Sequence, residues 1–171
     1  NASFMPNKFV FPGGALDPGD SEIDFNGDIP TKCIEKLRLK ADPSLAIPLI
    51  AAGIRELWEE TGLILGSKSK TKMDSIPKNW KDFFALGYQP SADNIEFVFR
   101  AITPPGRTRR FDARFFLLSS DNIKGDLDDF SKASGELSHL QWIELNSTQN
   151  LDLPFITEIV LSEVLSKLKG N

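Results

Sequence analysis

"RELWEETGL", residues 55 to 63, places three glutamates in nine residues and closes on a glycine. Glu56, Glu59 and Glu60 stand at i, i+3 and i+4, so a helix brings their carboxylates onto one face. Acidic groups that close repel one another unless water or a cation screens them. Upstream, "SLAIPLIAAGI" supplies the start of such a helix, with Pro48 suited to the first turn. Ile50, Ile54, Leu57 and Thr61 recur at helical period on the opposite side, a stripe for burial. Gly62 falls where a helix ends in a left-handed residue, and Leu63 and Ile64 follow to pack back. Ala52 and Gly53, one turn earlier, leave room for a close approach to the acidic face. Taken alone, the segment also fits an ordinary amphipathic helix with a solvated acidic side.

A second stretch bears on the choice. "FVFPGGALDPGD", residues 9 to 20, reads as a short strand, Phe9 to Phe11, running into a glycine-rich turn. Pro12 fixes its own φ, while Gly13 and Gly14 permit backbone conformations closed to other residues. Such a loop can aim carbonyls or amides at a ligand. Together the two stretches resemble the signature of the Nudix hydrolases. That signature runs Gly, five residues, Glu, seven residues, then Arg-Glu-U-x-Glu-Glu-x-Gly-U with U aliphatic; Gly14 and the whole of Arg55 to Leu63 match it.

Two departures stand out. Asp20 occupies the position of the first Glu, which the family usually links to the helix arginine. Thirty-four residues, 21 to 54, separate Asp20 from Arg55 where the signature has seven, so the box is interrupted by twenty-seven extra residues. By the logarithmic loop-closure law that lengthening costs only about 1.4 kcal/mol. Within it, "TKCIEKLRLK" places Ile34, Leu37 and Cys33 on one side of a short helix, and Asp42 and Pro43 break it before the catalytic helix begins. The insertion, about 21–45, is expected to leave the two halves of the box adjacent and to overhang the cleft's edge. Its position resembles the subgroup of the peroxisomal coenzyme A diphosphatase and its bacterial relatives, as do "ASFMPNKFVFPGG" and "TPPGRTRRFDARFFL".

The resemblance implies an α/β chain, a Nudix-type α/β/α sandwich around a mixed β-sheet, and a single domain over residues 1–171. It implies a metal-dependent hydrolase that cuts a phosphoanhydride bond in a nucleoside diphosphate linked to another moiety, coenzyme A or acyl-coenzyme A among the options. Hard divalent cations, Mg²⁺ or Mn²⁺, neutralise phosphate oxygens and prefer carboxylate and carbonyl ligands. The implied metal ligands are Glu59, Glu60 and Glu56, with a carbonyl of Gly13 or Gly14; Glu56 is a ligand or the general base. Arg55 orients a carboxylate. Glu136, in "SGELSHLQW", lies where many Nudix proteins carry a loop glutamate near the metals, although a solvated loop acid fits the sequence equally well. On "RRFDARFF", Arg110, Asp112 and Arg114 share a strand face; the arginines could hold a substrate phosphate, or the face could be solvated with Asp112 pairing them. A Nudix-fold module that binds or senses a nucleotide without cutting it is the alternative, although such modules commonly lose metal-ligand glutamates that this chain keeps.

Composition agrees with a packed enzyme. The chain has 171 residues, 40% of them hydrophobic, with thirteen phenylalanines, enough for a real core. A net charge of −4 argues against a nucleic-acid surface. Cys33 is the only cysteine, so no internal disulfide forms and a reducing compartment is expected; it reads as a small apolar residue. No apolar run reaches membrane-spanning length. The partner expected is therefore a small molecule, with neither nucleic acid nor membrane, and the oligomeric state is open, a homodimer included. The location expected is the cytoplasm or another reducing compartment, with the peroxisome suggested by resemblance alone. "SKL" at 166–168 is not terminal and is no address. The chain does not begin with Met, and the family's first strand would lie before Asn1.

The remaining segments complete the pattern. "GSKSKTKMDS", 66–75, reads as a surface loop, and "PKNWKDFFALG" as a short helix with Trp80, Phe83 and Phe84 inward. "NIEFVFRAIT", "RRFDARFFLLS" and "SHLQWIEL" read as strands, the last holding His139. "LPFITEIVLSEVLSKLK" reads as an amphipathic helix whose period is marked by Ile156, Ile159, Val160, Glu163, Val164 and Leu168.

Overall fold

A computed structural model of the chain describes residues 8–69 and 75–170. In chain order the helices are α1 (Thr31–Arg38), α2 (Ala46–Thr61), α3 (Lys81–Ala85) and α4 (Phe155–Leu168). The strands are β1 (Ile64–Lys68), β2 (Tyr88–Pro90), β3 (Glu96–Ile102), β4 (Asp112–Leu117) and β5 (Ile123–Lys124). The chain forms two compact units, one of Pro12–Glu96 with Leu118–Leu140, the other of the segments through Phe11, Phe97–Leu117 and Gln141–Asn171.

The first unit is organised around α2. Gly62 ends the helix in the left-handed region at φ 78°, where a side chain would be strained, and its N–H donates to the Trp58 carbonyl. Ile50, Ile54 and Thr61 are buried as expected, but Leu57 is only half-buried and Trp58 lies inside instead. The buried face is wider than one stripe because α1 and β1 both pack on this helix. Trp80 and Phe83 are fully buried, with ring centroids 5.4 Å apart at 75°, and Phe84 is half-buried beside them.

β1 forms the centre of a three-stranded sheet in the order β2-β1-β5, antiparallel to both neighbours, with Gly66 opposite Pro90 and Leu65 opposite Ile123. This corrects the loop expected from Gly66 onward: Gly66, Ser67 and Lys68 belong to the strand, and residues 70–74 lie outside those described. A Cβ on Gly66 would lie 2.7 Å from the Gln89 carbonyl oxygen and 3.2 Å from the Phe83 ring. The glycine that looked like a loop signal is therefore a point of close approach inside a sheet.

The insertion packs back on the first unit. α1 rests on α2, with Cys33 and Leu37 each 3% exposed, and the segment before it is tied to β2 by Asn26 N–H donating to the Pro90 carbonyl. Leu37→Ala should therefore cost about 2–5 kcal/mol through the cavity it leaves. Chemical denaturation of the purified variant measures that loss, and an unchanged midpoint would show that α1 does not belong to the core.

The second unit carries the β3–β4 pair and α4. Two expected strands are absent. Phe9 to Phe11 has no strand pairing, although the Phe9 N–H donates to the Asp152 carbonyl at 3.2 Å. Residues 138–144 are irregular and Leu145 opens a 3₁₀ turn; Trp142 is 53% exposed, and His139 sits in a loop and not in a strand. Apolar and aromatic residues suit a strand, but they cannot supply the partner edge that makes one. On α4 the buried residues are Thr157, Val160, Leu161 and Val164, while Leu168 is 64% exposed and Glu163 is exposed; the inward face is rotated from the expected one.

Candidate active site

Two segments of the first unit meet the acidic face of α2, the Gly13–Asp20 loop and the loop carrying Glu136, and the Pro77–Trp80 turn packs on the first of them. Pro18 opens a short 3₁₀ turn, Pro18–Glu22, capped by Asp17 and Asp20 in a reciprocal capping box. That turn buries Asp20 completely. Asp20 Oδ1 accepts from Arg55 Nε at 2.9 Å and from Trp80 Nε1 at 2.9 Å; Oδ2 accepts from Arg55 Nη2 at 3.0 Å and from Asp17 N–H at 2.8 Å. Four N–H donors thus occupy the roughly four lone-pair sites of one carboxylate. The expected adjacency of residues 20 and 55 is met across the whole insertion.

Arg55 distributes the rest of its fork over the site. Nη2 also donates to the Ala15 carbonyl at 2.8 Å, and Nη1 donates to Glu56 Oε1 and Glu59 Oε2, both at 2.9 Å. Burial alone would lower its pKa; the hydrogen bond and charge of Asp20, then those of Glu56, hold it above the ordinary arginine value. Arg55 is a permanent cation in contact with three carboxylates and one carbonyl.

The glycine loop meets the glutamates directly. Gly13 N–H donates to Glu60 Oε2 at 2.7 Å, and a Cβ on Gly14 would collide with the Glu56 carboxyl group. Only glycine lets the backbone come this close. Burial raises the Glu60 pKa, the Gly13 N–H partly opposes this, and the charges of Glu56, Glu136 and Glu59 raise it further, to about 7. Burial also raises the Glu56 pKa against the opposing pull of Arg55, with Glu59 and Glu136 adding to the rise. Glu136 is exposed, yet its charge is felt at both Glu56 and Glu60. Its loop is seated on α2 by the Ser134 N–H, which donates to the Glu59 carbonyl at 2.8 Å, and by Lys132 packed over Gly62.

The donor set suits a hard divalent cation: oxygen ligands only, with more negative charge than Arg55 neutralises. It is not a closed cage. Among the described residues, no group of three or more His, Cys, Asp or Glu side chains is arranged to hold a metal ion. Instead Arg55 holds Glu56 and Glu59, and Gly13 holds Glu60.

Arg110 and Arg114 belong to the second unit. Asp112 pairs with Arg100 at 2.7 Å and Arg114 at 2.9 Å, and the Arg100 hydrogen bond holds its pKa down against partial burial. Arg110 Nε donates to the Thr103 carbonyl at 3.2 Å. The Arg114 Nε is buried and has no hydrogen-bond partner. Arg110 lies just before β4, so the expected strand face is shorter than the sequence suggested.

Nothing in the sequence marks Trp80 or Ser134 as part of the site. Trp80 carried only a core signal there, and a backbone N–H such as that of Ser134 leaves no mark in residue identity.

No protein-family model matches the chain. A Caenorhabditis elegans protein carrying the provisional name "nudix hydrolase 7" is 30% identical over 153 residues, 84% of this chain. The chain spans 43% of the length of that curated relative. The crystal structure of a NUDIX hydrolase from Alicyclobacillus acidocaldarius matches with a TM-score of 0.57 and 23% identity, covering 94% of this chain and 77% of that one. The chain shares the α/β fold of that structure. No helix among the described residues is long and apolar enough to cross a membrane.

Proposed function

We propose that this chain is a Nudix hydrolase domain, one domain over residues 1–171 with an insertion at 21–45, that cleaves a phosphoanhydride bond in a nucleoside diphosphate linked to another moiety. The observation that carries this is the contact of the Gly13–Gly14 loop with Glu56 and Glu60, on a helix fixed to Asp20 through Arg55. An isolated acidic helix face has no reason to bring a glycine loop against itself.

Glu56, Glu59 and Glu60 would hold Mg²⁺ or Mn²⁺, with a Gly14 carbonyl as a further donor. The bound cation would neutralise diphosphate oxygens and lower the pKa of water at the site. Glu56, whose Arg55 contact is made through Oε1, and the exposed Glu136 are the candidates for taking a proton from the attacking water. Arg55 sets the directions of Glu56 and Glu59. Coenzyme A or an acyl derivative is the substrate supported by the sequence resemblance of the insertion and its flanking segments. The test is phosphate or nucleotide release from a panel of such diphosphates with Mg²⁺ or Mn²⁺, with excess chelator in parallel. Turnover that survives chelation ends the metal-dependent proposal. Because Arg55 ties up Glu56 and Glu59, a nucleotide-binding module that does not hydrolyse is the alternative; it predicts saturable binding with no release from any member of the panel.

Arg110 and Arg114 are assigned to the substrate's phosphates. Arg110→Ala should weaken kcat/KM by the equivalent of about 1.5–3 kcal/mol, the worth of a charged hydrogen bond. Steady-state kinetics measures this, and a variant kinetically identical to wild type would return Arg110 to ordinary surface.

A further inference from the structure

We infer that Trp80 is a positioning residue for the acidic face: its indole N–H fixes Asp20, and through Asp20 the Arg55 fork that aims Glu56 and Glu59. Trp80 lies outside the glycine loop and helix that carry the family resemblance. Its ring is fully buried and its one polar atom, a donor only, is spent on Asp20 Oδ1. Without that N–H, Oδ1 would retain only Arg55 Nε. A buried anion with an open lone pair is costly, so the carboxylate would turn or admit water and the two-pronged Arg55 contact would loosen.

The turn holding Trp80 is set by close approach. A Cβ on Gly19 would lie 2.5 Å from the Asn79 side-chain oxygen and 2.8 Å from Pro77 Cβ. Gly19 therefore lets Pro77–Trp80 come down onto the 3₁₀ turn that bears Asp20. The hydrogen bonds to Asp20 suit the shorter acid. Its position is defined by four donors, so an extra methylene at residue 20 would push the carboxylate into Arg55 or Trp80. Asp20 and Trp80 act as a matched pair.

The consequence for metal binding and catalysis rests on the function proposed above, but the positioning itself can be read without either. Trp80→Phe keeps most of the ring and removes the N–H. In the metal-free protein, the Arg55 Nε–H resonance should exchange with solvent at least tenfold faster than in wild type. Mn²⁺ affinity by electron paramagnetic resonance should weaken roughly tenfold, the lower range for residues that support metal ligands. Gly19→Ala, which lifts the turn without touching Trp80 or Asp20, should produce the same change at Arg55 and covers the case in which Trp80→Phe does not fold. Phe84→Leu, beside Trp80, should lower the melting temperature and leave Arg55 protected. Unchanged Arg55 exchange in Trp80→Phe, or equal loosening in Phe84→Leu, would overturn the inference. Wild-type protein that releases nothing from the diphosphate panel would count against the function alone, since the Arg55 exchange decides the positioning role either way.

Discussion

Glu60→Gln is expected to lower hydrolysis by roughly 10²–10³-fold, the scale for removing one charge partner of a transition state. At the same time it should make the metal-free protein more resistant to heat above neutral pH. The sign follows from linkage. The Glu60 pKa rises from its ordinary 4.5 to about 7 in the folded chain. Below 4.5 the group is protonated whether the chain is folded or not, and it costs nothing. Between 4.5 and about 7 the folded state keeps a proton that the unfolded state releases, so its contribution to stability falls as pH rises. Above about 7 the full cost of an ionised, buried carboxylate among like charges is present. Glutamine never ionises, and its carbonyl can still accept from Gly13. The gap in melting temperature between variant and wild type, in chelator, should therefore widen from pH 5 to pH 8. A gap that stays constant would mean that Glu60 is not the strained group described here. On the ligand set proposed above, added Mn²⁺ should stabilise wild type more than the variant, which lacks one ligand charge.

Arg55→Ala should be the most destabilising single change at the site. The arginine side chain is 6% exposed and that of Asp20 is 0% exposed. Removing the cation leaves a buried carboxylate uncompensated, a situation that costs about 3–5 kcal/mol. Arg55→Lys should recover little, because an ammonium group lacks the fork that reaches Asp20, Ala15, Glu56 and Glu59 together. Asp20→Asn combined with Arg55→Met should recover more than Lys does, since no unpaired charge is then buried. Urea unfolding of the single and double variants measures both terms. Stability of Arg55→Ala within about 1 kcal/mol of wild type would contradict the buried pair.

The acidic helix, its left-handed end at Gly62 and the glycine loop at Gly13 and Gly14 are legible in the order of residues alone. These features rest on local rules: helical spacing, the conformational freedom of glycine and the absence of a Cβ. The same rules located α1 in the insertion and the buried residues Trp80 and Phe83. They failed where burial or pairing depends on distant chain. Residues 138–145 read as a strand by resemblance around Trp142, yet no sheet edge takes them, and Gly66 looks like a loop signal although β2 and Phe83 draw it into a strand. The inward face of α4 and the burial of Trp58 were likewise decided by what packs against each helix. At the site, the carboxylates and the arginine can be read from residue identity, but their partners follow from how distant segments pack. Asp20 and Trp80 are sixty positions apart, and their hydrogen bond exists because the insertion folds aside and Gly19 admits the Pro77–Trp80 turn. A hydrogen bond needs its donor within about 3 Å and well aligned, and no local pattern fixes that distance between segments so far apart along the chain.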